Sequence, residues 1–137
     1  MEDGEAPGQI PISELVEDNV VWAAPKATLV DVAEILRSAE VGAVVLGDGT
    51  RPVAVVSERD VAHSVADLRD PKTTHAIDVG HRSLIWCESS ATVAEVAAEM
   101  MEHYVRHILV ESKGALVGVV SARDLLGAYA SAEDVSD

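Results

Sequence analysis

The sequence predicts an α+β fold in which two tandem β-α-β-β-α units pack about a pseudo-twofold axis. Three observations carry this. The chain repeats itself: shifted by 64 positions, Val20–Ala66 aligns without a gap on Leu84–Ala130, with 13 of 47 positions identical. The identities include Trp22 with Trp86, Ala27-Thr28 with Ala91-Thr92, Val55-Val56-Ser57 with Val119-Val120-Ser121, and Arg59-Asp60 with Arg123-Asp124. Each copy also switches between apolar runs of strand type and apolar residues at helical spacing. Finally, 137 residues of which 48% are hydrophobic suffice for one real core. With aromatics at 3% and no Phe, Val, Ala, Leu and Ile must fill it.

The elements follow in order. Val20-Val21-Trp22, and Leu84-Ile85-Trp86 in the second copy, read as a first short strand. Thr28 with Asp31, and Thr92 with Glu95, stand at N-cap and N3 spacing, so a helix starts at each. Leu29, Val32, Ala33 and Leu36 share one face of the first helix, and Val93, Val96, Ala97 and Met100 one face of its counterpart. The pair Met100-Met101 reads as core. Ala43–Leu46 and Val53–Val56 flank the polar turn Gly47-Asp48-Gly49-Thr50, and Ile108–Val110 and Leu116–Val120 flank Glu111-Ser112-Lys113-Gly114. Such pairs predict hairpins. A second helix starts at Ser57 or Ser121, again with an acid three residues on, Asp60 or Asp124. Its apolar face carries Val61 and Val65, or Leu125 and Tyr129. The strand-helix-strand crossover requires its two strands to be parallel, with a right-handed connection. One such unit is too small to be stable alone, so the copies are expected to bury their open faces on each other. Thr73–Ser83, after the turn-like Asp70-Pro71, links them. The resulting division is an acidic disordered N-terminus at 1–9, repeat 1 at 10–72, repeat 2 at 73–130 and an acidic tail at 131–137.

The net charge of −14 argues against nucleic acid and anionic membranes as partners, because both require a basic surface. Part of the acidity sits at the ends, in Glu2, Asp3, Glu5, Glu133, Asp134 and Asp137. One cysteine, Cys87, allows no internal disulfide. No apolar stretch approaches the roughly 20 residues of a membrane span, and the acidic start is unlike a signal peptide. A cytoplasmic location is the expectation.

The strand-to-helix junctions are where chemistry would sit. In copy two the sequence runs Gly118-Val119-Val120-Ser121-Ala122-Arg123-Asp124. A helix N-terminus offers unpaired N–H groups and a positive dipole end, which suit a phosphate. Ser121 adds a hydroxyl, Gly118 admits close backbone approach, and Asp124 can accept from two ribose hydroxyls. Taken alone, the same Ser and Asp read first as a plain helix cap.

The duplication, the element order and the Gly-x-x-Ser-x-x-Asp stretch together resemble the CBS domain family, named for cystathionine β-synthase and found as tandem pairs. The resemblance covers Ile12 to Ala130. It implies a regulatory module that binds an adenosine-containing ligand (AMP, ADP, ATP, S-adenosylmethionine or NAD) in one or both of two inter-repeat clefts, with Ser on phosphate and Asp on ribose. One cleft would hold Ser121, Arg123 and Asp124, with Asn19, Val20 and Val21 near the base. The other would hold Ser57, Arg59 and Asp60, with Leu84 and Ile85. Arg106 falls where kinase-regulating members carry a phosphate-contacting cation, and would face the Ser57 cleft. Copy one departs from the pattern: Gly42 stands in the place of Arg106, and Ala54 in the place of Gly118. The family also implies a homodimer, with the helices that start near Thr28 and Thr92 as interface elements. The regulated protein is then another chain.

Two other readings remain. In one the fold serves as a scaffold for protein contacts alone, which Ala54 and Gly42 favour. An enzyme or metal protein has less support. No Ser-His-Asp set, paired-carboxylate pattern or Walker loop is present. His63, His75, His81, His103 and His107 do not form a metal spacing, and a predicted helix ends between the last two. Cys87 reads as a buried small apolar residue.

Overall fold

The computed structural model of the chain describes residues 6–16 and 20–136. Glu2, Asp3, Glu5, Asn19 and Asp137 lie outside the described residues. The chain divides into two compact units. The first is Val20–Leu84; the second joins Ile85–Asp137 with the N-terminal segment that ends at Asn19.

In the first unit the order is β1 (Trp22–Ala23), α1 (Leu29–Ala39), β2 (Ala43–Gly47), β3 (Pro52–Ser57) and α2 (Glu58–Ala66). In the second it is β4 (Trp86–Glu88), α3 (Val93–His103), β5 (His107–Ser112), β6 (Ala115–Ser121) and α4 (Ala122–Ser136). Each unit thus repeats β-α-β-β-α. The first strand pairs parallel with the second, and the second antiparallel with the third, in both sheets. The first strands start two residues later than the apolar runs suggest. Val21 and Ile85 enter only through their carbonyls, which accept from Val45 and Leu109 N–H at 2.9 Å each.

Each helix begins where its cap dictates. Thr28, Ser57, Thr92 and Ser121 accept from the N3 backbone N–H, and the N3 carboxylate accepts from the N-cap N–H. Glu40 and Tyr104 end α1 and α3 in the left-handed conformation, with φ of 56° and 55°. The two-residue loop Lys113-Gly114 has φ of 54° and 80°, the geometry that a right-twisted hairpin prefers.

The first core joins Leu29, Val32 and Leu36 of α1 to Val44, Leu46, Ala54 and Val56 of the sheet; the second joins Val93, Val96 and Met100 to Ile108, Val110, Val120 and Leu125. Several expected core positions are instead on the surface. Met101 is 78% exposed, because it is rotated one residue, about 100°, away from the buried Met100. Ala33 is exposed, and Val65 and Tyr129 sit on the outer sides of their helices.

The 64-residue register reaches further upstream than Val20. The 3-10 turns Ile12–Glu14 and Ala76–Asp78 are 64 apart and make matching bonds. Ile12 N–H donates to Ala91 carbonyl at 2.7 Å, and Ala76 N–H to Ala27 carbonyl at 2.9 Å. Val93 N–H donates to Ile10, as Leu29 N–H does to Thr74. Ala76 is therefore core of the first unit and Ile12 core of the second, each with no exposed surface. Residues near 10–16 thus pack with the second repeat, and residues near 74–81 with the first. The solvated segment expected at 1–9 does not extend to Pro7–Gln9, a 3-10 turn lying against α3 and α4: a Cβ on Gly8 would stand 3.2 Å from Ala94 Cβ and Tyr129 Oη. Likewise α4 continues in helical backbone to Ser136, through most of the expected tail.

Candidate functional site

Two strand-to-helix junctions carry the candidate chemistry, one in each unit. At the first, β3 ends on Ser57 and α2 begins. Asp60 N–H donates to Ser57 Oγ at 3.2 Å, and Ser57 N–H donates to Asp60 Oδ2 at 2.8 Å. Ser57 is buried, Asp60 half-buried, and Arg59 exposed. At the second, Asp124 N–H donates to Ser121 Oγ at 3.0 Å and Ser121 N–H to Asp124 Oδ2 at 2.8 Å. Here Ser121 is half-buried, and Arg123 and Asp124 are exposed.

This geometry makes both serines and both aspartates parts of capping boxes, the plainer of the two readings their spacing allows. It leaves chemistry available all the same. A serine whose oxygen accepts from the helix keeps its own O–H to donate, and a carboxylate bonded through one oxygen keeps the other as acceptor. With the helix dipole behind them, these groups have the chemistry to meet an anion and a hydroxyl.

The neighbouring positions differ between the copies. Ala54 pairs with Leu46 as Gly118 pairs with Val110, and the Ala54 side chain belongs to the first hydrophobic core. Gly42 carbonyl accepts from Glu58 N–H at 3.0 Å, and Arg106 carbonyl from Ala122 N–H at 2.8 Å. Arg106 therefore has its backbone beside Ser121, in the same unit, with its side chain exposed. Val119 is half-buried on β6, opposite Leu109. Val20, Val21 and Leu84 fall in the first unit and Ile85 in the second; Val21 packs on the first core and Ile85 on the second.

One contributor was not singled out in the sequence. His81 Nε2 stands 3.4 Å from Asp60 Oδ1. The backbone of His81 pairs both ways with Val55, at 3.0 and 2.9 Å. Extending the 64-residue register upstream of Val20 would have shown that the linker is part of the repeat, and so a candidate to reach this junction.

Elsewhere, Glu99, Glu102 and His103 bring ligand-type atoms within 4.8 Å of one another near the end of α3, the one such grouping among the described residues. Contacts from His103 to Glu99 at 3.3 Å and Glu102 at 3.6 Å account for it as ordinary helix-surface pairing. Cys87 is half-buried against the second core, where burial first and nearby Glu88, Glu99 and Glu111 next push its thiol up to about 11. No helix among the described residues is long and apolar enough to cross a membrane.

Comparison with known proteins gives a consistent picture. The sequence model of the CBS domain matches residues 12–67 and 76–131. An uncharacterized protein of Methanopyrus kandleri is 27% identical over 120 residues, 85% of this chain; the chain spans 61% of that relative's length. Hypoxic response protein 1 of Mycobacterium tuberculosis is 28% identical over 114 residues, 82% of this chain and 80% of its own. A CBS domain protein from Pyrobaculum aerophilum, solved complexed with AMP, superposes with a TM-score of 0.75 at 36% identity, covering 89% of this chain and 99% of its own.

Proposed function

The chain belongs to the CBS domain family, and from that premise we propose that it is a regulatory module sensing an adenosine nucleotide at its strand-to-helix junctions. The observation that carries the proposal is the Ser121–Asp124 junction. There a helix N-terminus, a serine hydroxyl and an exposed carboxylate converge at the end of a strand bearing Gly118. We assign the Ser121 hydroxyl and the α4 N-terminus to phosphate, and Asp124 to the ribose diol. Arg106, whose backbone is bonded to Ala122, is assigned to phosphate at this same junction. That differs from the family-based expectation, which set it against Ser57. The AMP complex of the Pyrobaculum relative supports an adenosine ligand. We further propose a homodimer that covers Met101 and Tyr104 at the end of α3, which are 78% and 94% exposed.

Calorimetry with AMP, ATP, NAD and S-adenosylmethionine tests the proposal. At least one should bind, and Asp124→Ala should weaken that binding about tenfold, as expected for loss of a hydrogen bond to a charged group. Folded protein that binds none of the four would overturn it. A second reading, a protein-contact scaffold without nucleotide, is favoured by the capping boxes, which give the serines and aspartates a structural task already. A partner retained equally by the doubly substituted Asp60→Ala, Asp124→Ala chain would support that reading.

A further inference from the structure

Resting on the nucleotide reading above, we propose that His81 is a specificity-determining residue: its imidazole stands against the outer oxygen of Asp60 and makes the Ser57 junction the weaker of the two for a ribose diol. Asp60 and Asp124 look interchangeable in sequence, and each gives one oxygen to its own N-cap N–H. Among the described residues they differ at the other oxygen. Asp60 Oδ1 faces His81 Nε2 at 3.4 Å, and the Asp60 side chain is only 13% exposed. No such contact reaches Asp124 among the described residues. A vicinal diol needs acceptor capacity on that outer oxygen, and at Asp60 the imidazole is already there.

His81 is held in place by more than its side chain. Its N–H donates to Val55 carbonyl at 2.9 Å and its carbonyl accepts from Val55 N–H at 3.0 Å. This adds one antiparallel rung to the edge of β3, two residues before Ser57. Gly80 lets the linker lie so close, since a Cβ there would meet Val56 Cγ2 at 2.7 Å and Val55 O at 2.9 Å. On the other side Arg82 is tied back to Ile77 carbonyl and Asp78 carboxylate, both at 3.2 Å. To clear Asp60 the imidazole must rotate away from a pinned backbone.

The test weakens the Ser121 junction by working in the Asp124→Ala chain, so that the Ser57 junction carries more of the binding, and measures AMP by calorimetry. Adding His81→Ala should tighten AMP about fivefold, the scale of one polar side-chain contact. His81→Gln, which keeps an N–H donor, should stay close to the Asp124→Ala chain, and the unsubstituted protein is the parent of both. The gain should vanish with 2′,3′-dideoxy-AMP, which has no diol to compete for Asp60. Unchanged or weaker AMP binding with His81→Ala, or an equal gain with the dideoxy nucleotide, overturns the role of His81 and leaves the nucleotide reading standing. Loss of all AMP binding in both Asp124→Ala chains, while the parent binds, also overturns it. Failure of the parent to bind any nucleotide overturns the nucleotide reading, and this inference with it.

Discussion

A capped serine and its partner acid are local objects, fixed by a spacing of three residues and a few short hydrogen bonds. What surrounds them decides their chemistry, and Cys87 shows the same dependence at a second site. Its thiol is pushed up to about 11 from the ordinary 9.0, first by burial and then by Glu88, Glu99 and Glu111. Between the two values the folded chain keeps a proton that the unfolded chain releases. Folding stability should therefore fall as pH rises from 9 towards 11. Urea unfolding at pH 8 and pH 10.5 measures this, and Cys87→Ser should flatten the difference. The same thiol should alkylate slowly at pH 8, because the thiolate is the nucleophile. An equal pH slope with and without Cys87 would show that the thiol does not contribute.

At the scale of elements, the linker rung on β3 is the feature that periodicity could not reveal. It is a single residue pair, too short to leave an alternating pattern. Its requirement is steric: a Cβ on residue 80 would stand only 2.7 Å from Val56 Cγ2 and 2.9 Å from Val55 O, so Gly80 is needed there. Gly80→Ala should destabilise the chain by about 1–3 kcal/mol, the usual cost of overpacking a close contact. Hydrogen exchange at the His81 and Val55 amides should rise with it. Normal stability with intact protection at Val55 would mean that the linker has room to give. The helices and hairpins, by contrast, were legible residue by residue. Thr28, Ser57, Thr92 and Ser121 begin helices because each faces an acid at N3. Val65 and Met101 were misread because an apolar side chain does not itself say which side of a short helix meets the core.

At the scale of the whole molecule, each sequence repeat is completed by a segment that lies before the other in the chain. Ile12 is fully buried in the second core, although it precedes the first repeat. Ile12→Ala should cost about 2–5 kcal/mol, the range for removing a large buried aliphatic group. Native-state hydrogen exchange should locate the loss in α3, β5 and β6, with β2 and β3 little changed. Faster exchange in the first unit alone would contradict this assignment of the N-terminal segment.

The sequence by itself determined the duplication, the β-α-β-β-α order, the helix starts and the existence of two like junctions. These follow from interactions a few residues apart, or from apolar periodicity that needs no partner to be recognised. Only the tertiary structure decided that Ile12 serves the second unit and Ala76 the first, that Arg106 has its backbone beside Ser121, and that His81 reaches Asp60. Those are meetings of residues far apart in the chain, set by which backbone groups pair across the fold. One of them, an imidazole 3.4 Å from a carboxylate, gives two matching motifs unequal surroundings.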